Sequence, residues 1–125
     1  MNRLLDRTRS RVTRAYRRTR RHGRSRITRA IHVPSRADLP ETLNPHRIYL
    51  LGGVAPKWAL LDCPCGRGHT IELNLANPAR TRWEVTTNQV AEPSVHPSID
   101  YQGEPRCHYW LRNGRVYWVP EPPSR

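Results

Sequence analysis

Three cysteines and one histidine are the residues of this 125-residue sequence whose types and spacing best suit metal chemistry. Cys63 and Cys65 are separated by one residue, and His69 follows shortly after them. Glycines in the stretch 66–68 permit a tight loop between the thiols and the imidazole. Zinc prefers four sulfur or nitrogen ligands in a tetrahedron. We therefore expect Cys63, Cys65, His69 and Cys107 to form a zinc site.

A neighbouring histidine is a weaker candidate for the same ion. His108 directly follows Cys107, and successive side chains of a strand point to opposite faces of a sheet. If Cys107 binds the ion, His108 is directed away from it, unless a bulge interrupts the strand. The alternative to a metal site is a glycine-rich turn with incidental thiols, in which Cys107 is buried as a small apolar side chain.

A second set of residues has the types that nucleophilic catalysis requires. Ser98 or Cys107 could act as the nucleophile, His96 or His108 as the base, and Asp100 could orient either base. A chain with six histidines offers such combinations by chance. The residue types alone therefore leave the nucleophile and the base open.

Short strand-like segments must position all of these residues. Alternation of apolar and polar residues, or short apolar runs between turn residues, predicts strands at 47–51, 58–61, 69–75, 83–87 and 95–101. In the third of these segments Ile71, Leu73 and Leu75 share one face, while Thr70, Glu72 and Asn74 share the other. Pro97 should bend the last of them.

The C-terminal segments predict a β-hairpin. Asn113-Gly114 joins 107–112 to 115–119, and Asn-Gly favours the two-residue type I′ turn. That turn fixes the expected cross-strand pairs as Arg112 with Arg115, Leu111 with Val116, Trp110 with Tyr117, and Tyr109 with Trp118. Taken together, the segments predict a mainly β domain, either a small antiparallel sheet or a partly open barrel.

Charge, proline positions and strand-like segments divide the chain into four parts. Residues 1–30 contain 12 arginines and one acidic residue, and we expect them to form a helical or disordered arm. Pro34 and Pro40 mark residues 31–46 as a linker, residues 47–119 are expected to form the β-domain, and residues 120–125 are expected to be a proline-rich tail. The β-domain and its flanks are nearly neutral, so the net charge of +12 belongs mainly to the arm.

The arginine-rich arm gives an alternative function. It could neutralise phosphates as part of a nucleic-acid- or ribosome-binding module stabilised by zinc, and it could also be an organellar transit peptide. The odd number of cysteines, with neither an apolar signal sequence nor a membrane-length apolar stretch, predicts a reducing, cytoplasmic location.

Several short motifs in a fixed order resemble one known family. They are Cys-Pro-Cys-Gly-x-Gly-His-x-Ile-x-Leu-x-Leu at 63–75, Trp83, Pro-Ser-Ile at 97–99, Cys-His followed by aromatic residues at 107–111, and Gly-x-Val-x-Trp at 114–118. Together these motifs resemble BubE, a small bacterial domain found in operons for ubiquitin-like conjugation. The resemblance covers about residues 47–118 and leaves the arginine-rich arm outside it.

The resemblance implies a serine-type peptidase that processes or removes a ubiquitin-like protein. Position by position, it implies a serine–histidine site at Ser98 and His108 and a structural role for the Cys-Pro-Cys loop. Arg67 stands where the family pattern commonly has a further cysteine. A ubiquitin-like protein is the partner that this resemblance implies.

Overall fold

The computed structural model describes residues 26–120, which form eight β-strands and one short 3₁₀ turn at Arg36–Asp38. The strands are β1 (Arg29–Val33), β2 (Arg47–Leu51), β3 (Trp58–Asp62), β4 (Thr70–Asn74), β5 (Glu84–Thr87), β6 (Pro93–Tyr101), β7 (Cys107–Arg112) and β8 (Arg115–Trp118). The prediction of a mainly β fold is confirmed. No helix within residues 26–120 has the length and apolar character needed to cross a bilayer.

The strands form two four-stranded sheets and do not close into a barrel. The first sheet has the order β1-β2-β3-β4, in which β1 runs parallel to β2 and the other neighbours are antiparallel. The second sheet has the order β5-β6-β7-β8 and is antiparallel throughout. A parallel pair needs a long connection, and residues 34–46 provide it between β1 and β2.

One main core combines apolar side chains from both sheets. Its buried members on the sheets include Ile48, Leu50, Ala59, Leu61, Ile71 and Leu73 from the first sheet, and Val95, Ile99, Tyr109, Leu111 and Val116 from the second. These side chains alternate along their strands with outward-facing ones, as a half-buried strand requires. Full burial of one Leu or Ile side chain contributes about 1.5–3 kcal/mol.

The outer faces of the two sheets differ. On the first sheet, Leu39 and Leu43 of the β1–β2 connection pack on a second buried cluster that includes Tyr49 and Leu51. Strand β2 is therefore buried on both faces. The outward residues of the second sheet remain partly or fully exposed, and we call this surface the open face. It includes Ser98, His108, Trp110, Arg112, Arg115 and Tyr117.

The Asn-Gly hairpin has the predicted turn and register. Asn113 and Gly114 both have positive φ, 47° and 78°, as a type I′ turn requires. All four predicted cross-strand pairs are present in β7 and β8. Gly114 is also in a crowded place, because an added Cβ would lie 3.1 Å from the Ile27 carbonyl oxygen.

Strand β1 was not among the predicted strands. Ile27, just before it, is fully buried, and its amide donates to the carbonyl of Gly114 at 2.9 Å. The division into arm, linker, domain and tail stays a prediction, but residues 26–33 pack with the β-domain. The predicted helical or disordered arm lies largely outside the described residues, as do residues 121–125 of the predicted tail.

Asn74 departs from the predicted alternation of β4, because its polar side chain is buried. Its amide nitrogen donates to the carbonyls of Asn77 and Thr81, at 2.8 and 3.0 Å. Its side-chain oxygen accepts from the amides of Ala76 and Asn77, at 3.2 and 2.9 Å. These bonds satisfy the buried group and hold the loop that leads to Trp83.

Candidate functional site

Ser98 lies at an irregularity in the pairing of β6 with β7. Val95 pairs with Leu111 and Ile99 pairs with Tyr109. Between these pairs, residues 96–98 of β6 lie opposite the single residue Trp110 of β7. Such a bulge changes the direction of side chains locally. Pro97, where the sequence predicted a bend, lies within this irregularity. Ile99 points into the core, and Ser98 lies on the open face.

The hydroxyl of Ser98 lies beside the imidazole of His108. Ser98 Oγ is 2.9 Å from His108 Nε2, a distance suited to donation from the hydroxyl to an unprotonated Nε2. Both residues are partly buried. A serine hydroxyl in contact with an imidazole is the arrangement that a nucleophile and its general base require.

Asp100 lies directly opposite His108 on the adjacent strand. Arg106 holds this carboxylate with two hydrogen bonds, from Nε at 3.0 Å and from a terminal nitrogen at 2.9 Å. The Arg106 hydrogen bonds, and to a lesser extent the charge of His108, hold the pKa of Asp100 below its usual value. Asp100 is therefore ionised at neutral pH and places negative charge near the imidazole.

Trp83 fixes the backbone at Ser98. Its indole Nε1 donates to the carbonyl oxygen of Ser98 at 3.1 Å, and its ring packs against the main core. The indole thus connects the core to the bulge that carries the hydroxyl.

A separate cluster of potential ligands lies on the core side of β7, between its first residue and the β3–β4 loop. One ligand atom from each of Cys63, Cys65, His69 and Cys107 lies within 4.8 Å of the others. The Cys65 sulfur is 3.7 Å from His69 Nε2, and the Cys107 sulfur is 3.8 Å from the same nitrogen. The first three residues belong to the β3–β4 loop, and Cys107 begins β7. The cluster therefore connects the two sheets.

The surrounding structure orients the cluster. The amide of Cys63 donates to the carbonyl of His69 at 3.0 Å and closes the loop. The ring of His69 stacks on Tyr101, with centroids 4.2 Å apart. The Arg67 amide donates to the Cys65 sulfur at 3.4 Å, which is a contact that stabilises bound thiolates.

Burial determines the protonation of these groups. It raises the pKa of the Cys63 thiol to about 11, and it also raises the pKa of the Cys107 thiol. Burial lowers the pKa of His69, while the charge of Asp62 acts in the opposite direction. Without an ion the two thiols are therefore protonated at neutral pH, and the imidazole is in the neutral form that binds metals.

The four residues fit a metal ion. Ligands that bind zinc tetrahedrally at about 2.3 Å lie about 3.8 Å from one another. The distances of 3.7 and 3.8 Å are close to this spacing. Three sulfurs and one nitrogen complete a four-coordinate set, so the cluster could bind a metal ion although Arg67 provides no side-chain ligand.

Residues 35–119 match the family model BubE, described as a bacterial ubiquitination-like system serine protease. The match covers more than half of the chain. The chain belongs to the BubE family. No curated protein and no solved structure matches it significantly.

Membership of the BubE family associates the chain with serine protease chemistry. Ser98 and His108 are the candidate nucleophile and base that lie in contact. His96 is the other predicted candidate base, but its ring lies against Trp110, at 6.1 Å between centroids. Cys107 is the other candidate nucleophile, but it lies in the ligand cluster, and its raised pKa disfavours the reactive thiolate.

The alternative of nucleic-acid binding depends on residues 1–30, most of which lie outside the described residues, and the BubE match does not support it.

Two residues near Ser98 and His108, Arg106 and Trp83, were not predicted as site residues. Arg106, which holds Asp100, directly precedes Cys107, but arginine is too frequent in this sequence to attract attention. Trp83 appeared only as a strand residue and a matched motif position. Its bond to Ser98 runs from the residue before β5 to the bulge in β6, and no local pattern indicates such a contact.

Proposed function

We propose that this chain is a serine peptidase that cleaves at the C-terminus of a ubiquitin-like protein, with Ser98 as nucleophile and His108 as general base. The observation that carries the proposal is the 2.9 Å hydrogen bond between Ser98 Oγ and His108 Nε2. The membership of a family of serine proteases from a ubiquitination-like system supports both the reaction class and the partner.

The first half of the reaction forms an ester on Ser98. His108 Nε2 takes the hydroxyl proton as Ser98 Oγ attacks the carbonyl carbon of the scissile bond. The resulting imidazolium then gives this proton to the leaving amine, and the carbon–nitrogen bond breaks. In the second half, His108 removes a proton from water, which attacks the ester and releases Ser98 with its proton restored.

Asp100 and Trp83 support this pair without contacting the reacting atoms. The ionised carboxylate of Asp100 faces the strand position of His108 and favours the imidazolium that forms during attack. Arg106 binds both carboxylate oxygens of Asp100. We therefore assign Asp100 an effect on the His108 imidazole through its charge. Trp83 positions the Ser98 backbone.

The cysteine–histidine cluster has a structural role in this proposal, and zinc is the ion that suits it. Catalytic zinc sites keep one position open for water or substrate, whereas four protein ligands complete a structural site. Cys63, Cys65, His69 and Cys107 supply four. A zinc ion there would fix the β3–β4 loop to the start of β7, next to His108. Three free thiols so close together also favour a reducing, cytoplasmic environment.

A cleavage assay tests the proposed function. The substrate is a ubiquitin-like protein that carries a C-terminal extension or is joined to a target. The wild-type chain should cleave it, and the S98A and H108A variants should each lose activity by about 100-fold or more. Ser94, on the same strand, hydrogen-bonds the Asn113 amide, so S94A is the matched control and should remain active. Equal cleavage by wild type, S98A and H108A would contradict the proposal.

A further inference from the structure

Two arginines face each other across the hairpin on the open face. Arg112 and Arg115 occupy directly opposite positions of β7 and β8, and both are exposed. Like charges at opposite strand positions destabilise a hairpin. Within residues 26–120 neither guanidinium has a carboxylate partner, although Arg26, Arg36 and Arg106 each form an ion pair. The hairpin therefore presents a concentrated positive charge that its own fold does not neutralise.

The position of one guanidinium is fixed by an aromatic ring. The central carbon of the Arg112 guanidinium lies 4.6 Å from the centre of the Trp110 ring. This cation–π contact orients the group while leaving its charge in place and N–H groups free to donate. Tyr117 lies opposite Trp110 and is 42% exposed, so it extends the same surface on β8.

The arginine pair and the Ser98–His108 pair lie on one continuous surface. His108, Trp110 and Arg112 alternate along β7 and share the open face. Arg112 is four residues from His108, which corresponds to about 13 Å along a strand. An extended peptide advances by the same length per residue. A substrate that lies over the open face, parallel to the direction of β7, therefore reaches the arginines about four residues from its scissile bond.

Two shallow depressions lie at the hairpin end of the open face, and neither is lined by Ser98 or His108. One of about 260 Å³ is lined by residues that include His96, Trp110 and Arg112, and a second of about 480 Å³ is lined by Arg112, Asn113, Arg115 and Tyr117. Glu84 on β5 lines the first depression, so the positive charge is concentrated at the hairpin end. An extended chain with a negative group at that end complements this surface.

We propose that Arg112 and Arg115 form a subsite for a carboxylate of the substrate peptide, about four residues from the bond that Ser98 cleaves. The subsite rests on the proposed peptidase function. Guanidinium groups bind carboxylates with paired, charge-assisted hydrogen bonds, and two arginines provide enough donors for both oxygens. The carboxylate belongs either to an acidic side chain or to the C-terminus of a short extension.

Specificity profiling tests the subsite. A proteome-derived peptide library is cleaved by the wild-type chain, by the R112Q/R115Q double variant and by R36Q, which removes a charge in the 3₁₀ turn between β1 and β2. The wild type and R36Q should favour peptides with a carboxylate about four residues from the cut. In matched peptides, Gln in place of Glu, or an amidated C-terminus, should lower kcat/KM by about tenfold for wild type but not for the double variant.

The outcomes of these experiments distinguish failure of the carboxylate subsite from failure of the peptidase function. If the double variant keeps the preference, or if the wild type has none, the subsite is wrong while the peptidase function stands. If the wild type cleaves no peptide and Ser98 also fails to react with a fluorophosphonate, both proposals are overturned. If the double variant loses affinity for a single-stranded RNA probe and retains the cleavage preference, the arginines serve nucleic acid and the carboxylate subsite is overturned.

Discussion

Cys107 and His108 are adjacent in the chain and point to opposite faces of the second sheet. The Cys107 sulfur lies 3.8 Å from the imidazole of His69 on the core side, whereas His108 Nε2 lies 2.9 Å from Ser98 Oγ on the open face. Strand alternation alone separates the two environments. Whatever fixes Cys107 therefore also fixes the backbone from which His108 projects, so the ligand cluster and the serine–histidine pair are mechanically connected.

Zinc removal should destabilise the fold and lower activity with it. We expect about one zinc per purified wild-type chain, and H69N should lose it, because three thiols alone leave a tetrahedral site incomplete. A loss of about 2 kcal/mol would lower the Tm by about 10 °C in a domain of this size. Mass spectrometry measures the loss of zinc, and thermal unfolding measures the loss of stability.

His32, an exposed histidine on β1, provides the matched control for this substitution. The H32N variant should keep its zinc and its Tm. Full zinc content in H69N, or no metal in freshly purified wild type, would contradict the metal assignment.

Replacing Trp83 by Phe should lower kcat more than it changes KM. The substitution keeps an aromatic ring in the core but removes the Nε1 donor to the Ser98 carbonyl, a bond worth about 1 kcal/mol. The bulge would then hold the Ser98 hydroxyl less firmly against His108. Steady-state kinetics on the cleaved substrate, with about a fivefold loss in kcat, would match this expectation.

The control for W83F is W58F, because Trp58 lies on the first sheet and is 37% exposed. W58F should leave kcat unchanged. A W83F variant that loses thermal stability but keeps the kcat of wild type would show that Trp83 serves only the core.

Much of the second sheet follows from local sequence, and the site follows only in part. Asn113-Gly114 determines the hairpin register because a two-residue loop leaves no freedom in pairing. The grouping of Cys63, Cys65, His69 and Cys107 was predictable because metal chemistry limits the residue types and strand alternation excludes His108. The choice of Ser98 and His108 over the other candidates came from the family resemblance, since the bulge that brings them together has no clear local signature.

The features that the sequence did not predict, strand β1 and the burial of Asn74, depend on contacts with segments outside the strand concerned. Strand β1 contains Arg29 and His32 within an arginine-rich context, and it is stabilised by parallel pairing with β2. Nothing in its own residues indicates that partner. Asn74 occupies a polar position in an alternating strand, yet the loop that folds over it buries the side chain. Local alternation describes the two faces of a strand but not what later covers them.

Ile27 should be essential for stability. Its side chain is fully buried in the main core, and its amide bonds to Gly114. Truncation of a buried Ile to Ala costs about 2–5 kcal/mol, because apolar contact is lost and a cavity forms. Chemical denaturation of I27A should show a loss in this range. V54A, at a fully exposed position, should differ from wild type by less than about 0.5 kcal/mol. Equal stability of I27A and wild type would mean that residues 26–33 do not dock on the β-domain.

Covalent labelling of Ser98 tests the central claim most directly. A fluorophosphonate reacts preferentially with a serine hydroxyl that a neighbouring base activates, and mass spectrometry locates the modified residue. We predict a single adduct on Ser98 of the wild-type chain, kept in S94A and lost in both S98A and H108A. An unlabelled wild-type chain, an adduct on another residue, or equal labelling of H108A would contradict the assignment of Ser98 and His108 as nucleophile and base.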